Sequence, residues 1–132
     1  MKTFLFGIAT AGLVAVPLAC NPFAPDQSVE LSVTKLDAPA TISSGSSFTV
    51  VLGVTTGGCL SFDHITVERT LSSASMTAWG HDLAKGDKNV MCPQIILNEP
   101  HSYQFDPPFL NPFTVDVPRG RLSPLTAPVQ IQ

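Results

Sequence analysis

The sequence predicts an all-β fold, a single two-sheet sandwich of seven or eight short strands, and three observations carry that reading. From Ser28 onward apolar residues recur at every second position, the period that puts alternate side chains on one face of a strand. Clusters of Gly, Ser, Asn and Pro interrupt these runs at short intervals, as turns do. The 12 prolines are spread widely enough to exclude long helices. Short strands with frequent turns bury their apolar faces best as two packed sheets.

Taken in order, Val29, Leu31 and Val33 alternate with Ser28, Glu30, Ser32 and Thr34 to give a first strand. Ser43-Ser44-Gly45-Ser46 is a turn, after which Phe48, Val50, Leu52 and Val54 alternate with Thr49, Val51, Gly53 and Thr55 in the strongest strand of the chain. Thr56-Gly57-Gly58 breaks it, and Ile65 and Val67 resume the alternation. Residues 71–79 fit two periods, a helix through Leu71, Ala74 and Ala78 or a strand through Ala74, Met76 and Ala78, and the surrounding short-strand pattern selects the strand. Further short strands are expected at 95–97, 103–105, 113–117 and 129–131. Pro107, Pro108, Pro112, Pro118, Pro124 and Pro128 are expected at strand ends or edges, because proline cannot donate to an interior ladder. There they also protect edges against aggregation.

The segment before this pattern has another character. Lys2 precedes an uncharged apolar run from Thr3 to Ala19, shorter than the ~20 residues of a spanning helix, and reads as a signal peptide. Its exit, Val16-Pro17-Leu18-Ala19-Cys20, resembles the lipobox of bacterial lipoproteins at Ala19 and Cys20 and departs from it at Pro17 and Leu18. That resemblance implies cleavage before Cys20 and its acylation with chains such as palmitate. The other reading is plain export, with Cys20 a free or intermolecular thiol. Asn21 stands where an inner-membrane retention signal places Asp, which by the same resemblance favours the outer membrane. Residues 21–27 carry two prolines and no periodicity and read as a solvated tether. The expected organisation is a signal peptide at 1–19, a lipidated cysteine and tether at 20–27, and a β-sandwich domain at 28–132.

Loss of Lys2 with the signal takes the basic residues from 7 to 6 against 10 acids, a net charge of −4. A mildly acidic chain lacks the basic stripe that nucleic acid requires and the polybasic cluster that anionic lipid attracts. The expected partners are the membrane, through the acyl chains, and an envelope protein. In an oxidising compartment Cys59 and Cys92 are expected to pair, closing a loop of about 34 residues worth ~3.8 kcal/mol by chain entropy. A metal or redox thiol pair is the alternative, but the Cys-x-x-Cys spacing and a nearby His are missing.

No Gly-x-Ser-x-Gly elbow occurs. Asp63-His64 and His81-Asp82 put carboxylate beside imidazole, yet neighbours on a strand point to opposite faces and are not expected to form a dyad. A metal site built from His64 and His81, with His101 as a third ligand, is the rival reading, although neither a blue-copper spacing nor His-x-His is present. No catalytic residue and no cofactor are expected. The segment 106–113 is stiffened by prolines, so Phe109 and Leu110 either plug one end of the sandwich or project as an interaction patch. Arg119 and Arg121 would supply its polar rim.

Gly58-Cys59-Leu60-Ser61-Phe62, His64-Ile65-Thr66-Val67-Glu68-Arg69, Met76-Thr77-Ala78-Trp79-Gly80, Met91-Cys92-Pro93 and Pro112-Phe113-Thr114-Val115-Asp116-Val117 together look like the small immunoglobulin-like envelope lipoproteins of bacteria. Asn111-Pro112 replaces the glycine usual before the closing aromatic. The resemblance implies a non-enzymatic, lipid-anchored envelope protein, either structural or an accessory subunit of a surface or outer-membrane complex. A periplasmic or surface ligand-binding module, with copper or zinc as the first ligands to consider, is the alternative.

Overall fold

Alternation of period two governs the strands of the sandwich. The computed structural model describes residues 28–87 and 89–132, so the expected signal peptide, Cys20 and the tether lie outside the described residues. Among the described residues nine strands follow in order: β1 (Ser28–Glu30), β2 (Val33–Asp37), β3 (Thr41–Ile42), β4 (Phe48–Thr56), β5 (Leu60–Arg69), β6 (Ser73–Asp82), β7 (Leu97–Phe105), β8 (Phe113–Arg119) and β9 (Leu122–Ile131). One sheet runs β1-β6-β8-β9-β3, with β5 along the other edge of β6, and faces a second sheet ordered β2-β4-β7. The chain is thus the all-β two-sheet sandwich that its periodicity predicts.

The strand count exceeds expectation for physical reasons. The first predicted strand divides where the chain crosses between sheets: Leu31 N–H still donates to Ala78 of β6 (2.9 Å), whereas the Ser32 carbonyl accepts from Thr55 N–H of β4 (2.8 Å). The runs at 103–105 and 97 fuse into one long β7, and the short β3 lies parallel to the end of β9. Of the ambiguous residues 71–79, those from Ser73 onward are strand, with Ala74, Met76 and Ala78 of β6 buried.

Phe48, Val50, Leu52 and Val54 of β4 face Met76, Val115, Val117 and Val129 from the opposite sheet to form the core. Full burial stabilises each such side chain by about 1.5–3 kcal/mol. The polar partners in the alternation lie on the outer faces. Gly80 is buried where a side chain has no room, since a Cβ there would run into the Ser61 carbonyl oxygen and the Leu31 side chain.

The prolines obey the ladder. Pro100 lies in β7, an edge strand, and Pro124 and Pro128 lie in β9, whose outer side is paired only at Gln130 and Ile131. Pro118 sits where the β8–β9 register shifts.

β6 gives the sandwich its poles. Its start, near Ser73, is the upper pole, and its end, near Asp82, the lower one. Ser28 pairs with His81, so the described chain enters at the lower pole.

Candidate functional site

At the lower pole the backbone is pinned by covalent and steric constraints. Cys59 and Cys92 form a disulfide with Cα atoms 5.1 Å apart, and Leu83 N–H donates to the Cys59 carbonyl (3.1 Å). Gly57 has φ +99°, and a Cβ there would run into the Ile95 carbonyl. Only glycine lets the 93–95 backbone approach so closely in that conformation. A cleft of about 530 Å³ opens between Gly57, Gly58, Pro93, Gln94, Ile95 and Ile96.

Residues 95 and 96, expected as strand, lie outside it: β7 begins at Leu97. The disulfide and the glycine seat fix this stretch as a loop, and its side chains face water. Met91 is 93% and Ile96 84% exposed, and Val90, Ile95 and Leu97 are exposed as well. This is the densest group of exposed large apolar residues described. The run of three consecutive aliphatics without alternation, next to Cys92-Pro93, was the sequence signal for it.

The upper pole is closed by a different device. Arg69, the last residue of β5, faces inward, and its guanidinium donates to the carbonyls of Asp106 (2.6 Å) and Pro108 (2.6 Å). The same group lies 4.7 Å from the ring centre of Phe109. Phe109 packs against Phe48 (5.2 Å) and Phe113 (5.0 Å), so it plugs the end of the sandwich. Asp106 accepts from the Ser47 hydroxyl (2.7 Å) and the Gln104 amide (2.8 Å). The Ser47 bond first and then the Gln104 bond hold its carboxyl below the usual range against the opposing effect of desolvation, with the charge of Arg69 adding the least.

The proposed patch of Phe109, Leu110, Arg119 and Arg121 is not brought together. Leu110 is exposed beside Leu71, whose carbonyl accepts its N–H (2.8 Å), at the upper pole. Arg119 and Arg121 flank the Gly120 turn at the far end of β8, about 20 Å away at the rise of an extended strand. Arg119 Nε is occupied by the Ser123 carbonyl (2.7 Å).

The histidines divide likewise. Asp63 occupies a bulge in β5, between Phe62 opposite Gly80 and His64 opposite Trp79. The bulge overturns the expectation from strict alternation that Asp63 and His64 point apart: Asp63 Oδ2 lies 2.8 Å from His64 Nδ1 and 3.6 Å from His81 Nε2. His101 is elsewhere, stacked on Phe62 with centroids 3.5 Å apart and 3.3 Å from Glu99. The three histidines therefore do not converge, and among the described residues no group of three or more His, Cys, Asp or Glu is placed to hold a metal ion. Trp79 lies half-buried on the outer face, its indole N–H donating to Thr66 Oγ1 (2.9 Å), unlike the core tryptophan of antibody domains.

Comparison with protein-family models, curated proteins and solved structures finds no significant match to this chain.

Proposed function

We propose that the protein is a non-enzymatic, lipid-anchored component of a bacterial cell envelope, structural or accessory to a larger surface or outer-membrane complex. The observation that carries the reading is the cysteine arithmetic. Cys59 and Cys92 pair, as cysteines do in exported proteins, and the remaining cysteine is Cys20, at the exit of the apolar segment. The order of parts agrees with it: an apolar leader, a cysteine, seven residues containing two prolines, then a sandwich whose first strand starts at Ser28. Acyl chains on Cys20 hold the domain at the membrane, the outer membrane being favoured by Asn21, and leave its surfaces free for an envelope protein.

Membrane fractionation of the native chain and Cys20→Ser tests this. The native protein is expected in the membrane fraction, resistant to high salt. The variant is expected to fold with its disulfide intact and to leave that fraction. A Cys20→Ser protein that stays with the membrane as firmly as the native one refutes anchoring through Cys20.

A further inference from the structure

The lower pole holds two features that the anchor alone does not explain: an apolar tip, and the point where the chain arrives from its leader. Of the nine exposed large hydrophobic residues described, five lie within residues 90–97 and a sixth, Leu83, starts the same loop. No charged residue occurs between Val90 and Asn98. Scattered apolar residues on a surface are ordinary, but a contiguous cluster marks a contact. The cluster cannot fold back on itself, because Cys92 is bonded to Cys59 and the 93–95 backbone is seated against Gly57.

The occupant follows from where the anchor leads. Ser28 pairs with His81, one residue before the end of β6, and Leu83 begins the tip directly after that strand. Chain entry and apolar tip are therefore on the same end of the sandwich. Eight residue steps separate Cys20 from Ser28, a reach of at most roughly 28 Å. A cysteine acylated in the bilayer thus keeps the lower pole within a tether's length of the lipid surface, and the upper pole a further strand length of about 30 Å away.

We propose that Met91, Ile95, Ile96 and Leu97 enter the interfacial region of the bilayer beside the acyl anchor, making a second, non-covalent membrane contact. This rests on the lipid-anchor reading above. The contact is apolar rather than electrostatic, consistent with the acidic balance of the chain. With the covalent anchor it gives the domain a fixed stance: strands upright and the Arg69-clamped upper pole outward. Interfacial insertion of apolar side chains typically reaches about 5–10 Å below the head groups, a depth that side chains on a pinned loop tip can attain.

The test uses the full chain, purified from a bacterial membrane and reconstituted into phosphatidylethanolamine–phosphatidylglycerol vesicles, some made with lipids brominated near the head-group end of the acyl chains. Single variants Met91→Trp and Ile96→Trp add an emitter at the tip, Leu110→Trp adds one at the upper pole, and native Trp79 sets the baseline. The proposal expects the added emission of both tip variants to shift blue on reconstitution and to be mostly lost with brominated lipid, while that of Leu110→Trp does neither. Tip emission insensitive to bromine in protein that floats with the vesicles overturns the proposal and leaves the anchor standing. A blue shift without bromine quenching also overturns it, in favour of a protein partner or a second copy at the tip. Protein of any variant that fails to float refutes the anchor reading, and the proposal falls with it.

Discussion

Arg69→Ala should unfasten the upper pole. The native guanidinium donates to two main-chain carbonyls, on Asp106 and Pro108, and covers the ring of Phe109. Hydrogen bonds to a charged group contribute about 1.5–3 kcal/mol each, but Arg69 is exposed and water competes for both carbonyls, so the pair is worth well under twice that figure. The cation–π contact adds ~0.5–1 kcal/mol at an exposed site. The expected loss is therefore about 2–3 kcal/mol, which for a domain of this length lowers Tm by roughly 10–20 °C. Thermal unfolding followed by near-ultraviolet circular dichroism reads it, and limited proteolysis should show new cleavage in residues 106–112. Arg69→Lys keeps the charge without the fork, and should recover less than half of the loss. A Tm for Arg69→Ala within about 2 °C of native would refute the clamp.

Other perturbations have equally defined outcomes. Thr56 Oγ1 is buried with no partner among the described atoms, so Thr56→Val should stabilise the protein by about 1 kcal/mol in urea unfolding, and a destabilisation would mean that the hydroxyl is bonded. Reducing the Cys59–Cys92 bond, which spans 33 residues, should lower stability by ~3–4 kcal/mol, read as a shift in the denaturant midpoint on adding reductant. An unmoved midpoint would contradict a structural role. Asp106 has a depressed folded-state pKa, so its contribution is complete above the usual carboxylate range and is lost as pH falls through the lowered value. Stability should therefore decline below about pH 4, and Asp106→Asn should flatten that decline in denaturant midpoints taken between about pH 5 and pH 3. An identical acid slope in the variant would remove Asp106 as a cause.

Alternation made the core legible. Phe48, Val50, Leu52 and Val54, and Ala74, Met76 and Ala78, were readable as inward faces because burial of one face imposes period two on the residues themselves. Features set by long-range geometry were not readable that way. Nothing local in Leu31-Ser32 says that the chain changes sheets there, and nothing in Asp63 announces a bulge, since each depends on what the neighbouring strand offers. The clamp made by Arg69 has no local signature either. Its partners are 37 and 39 residues away, and its inward face follows from pairing with Ala74. Ile95-Ile96-Leu97 read as strand because β-branched composition scores the same in a buried strand and on an exposed tip. The disulfide and the Gly57 seat decide between them.

The anchor is tested most directly by the intact mass of the protein extracted with mild detergent from its native membrane, recorded before and after reduction. A lipid-anchored, disulfide-bonded protein is expected to start at Cys20, carry the added mass of acyl chains, and gain two hydrogens on reduction. A mass equal to the unmodified polypeptide, whether cut at the leader or not, would contradict the lipid anchor and leave a disulfide-bonded sandwich with no covalent hold on the membrane.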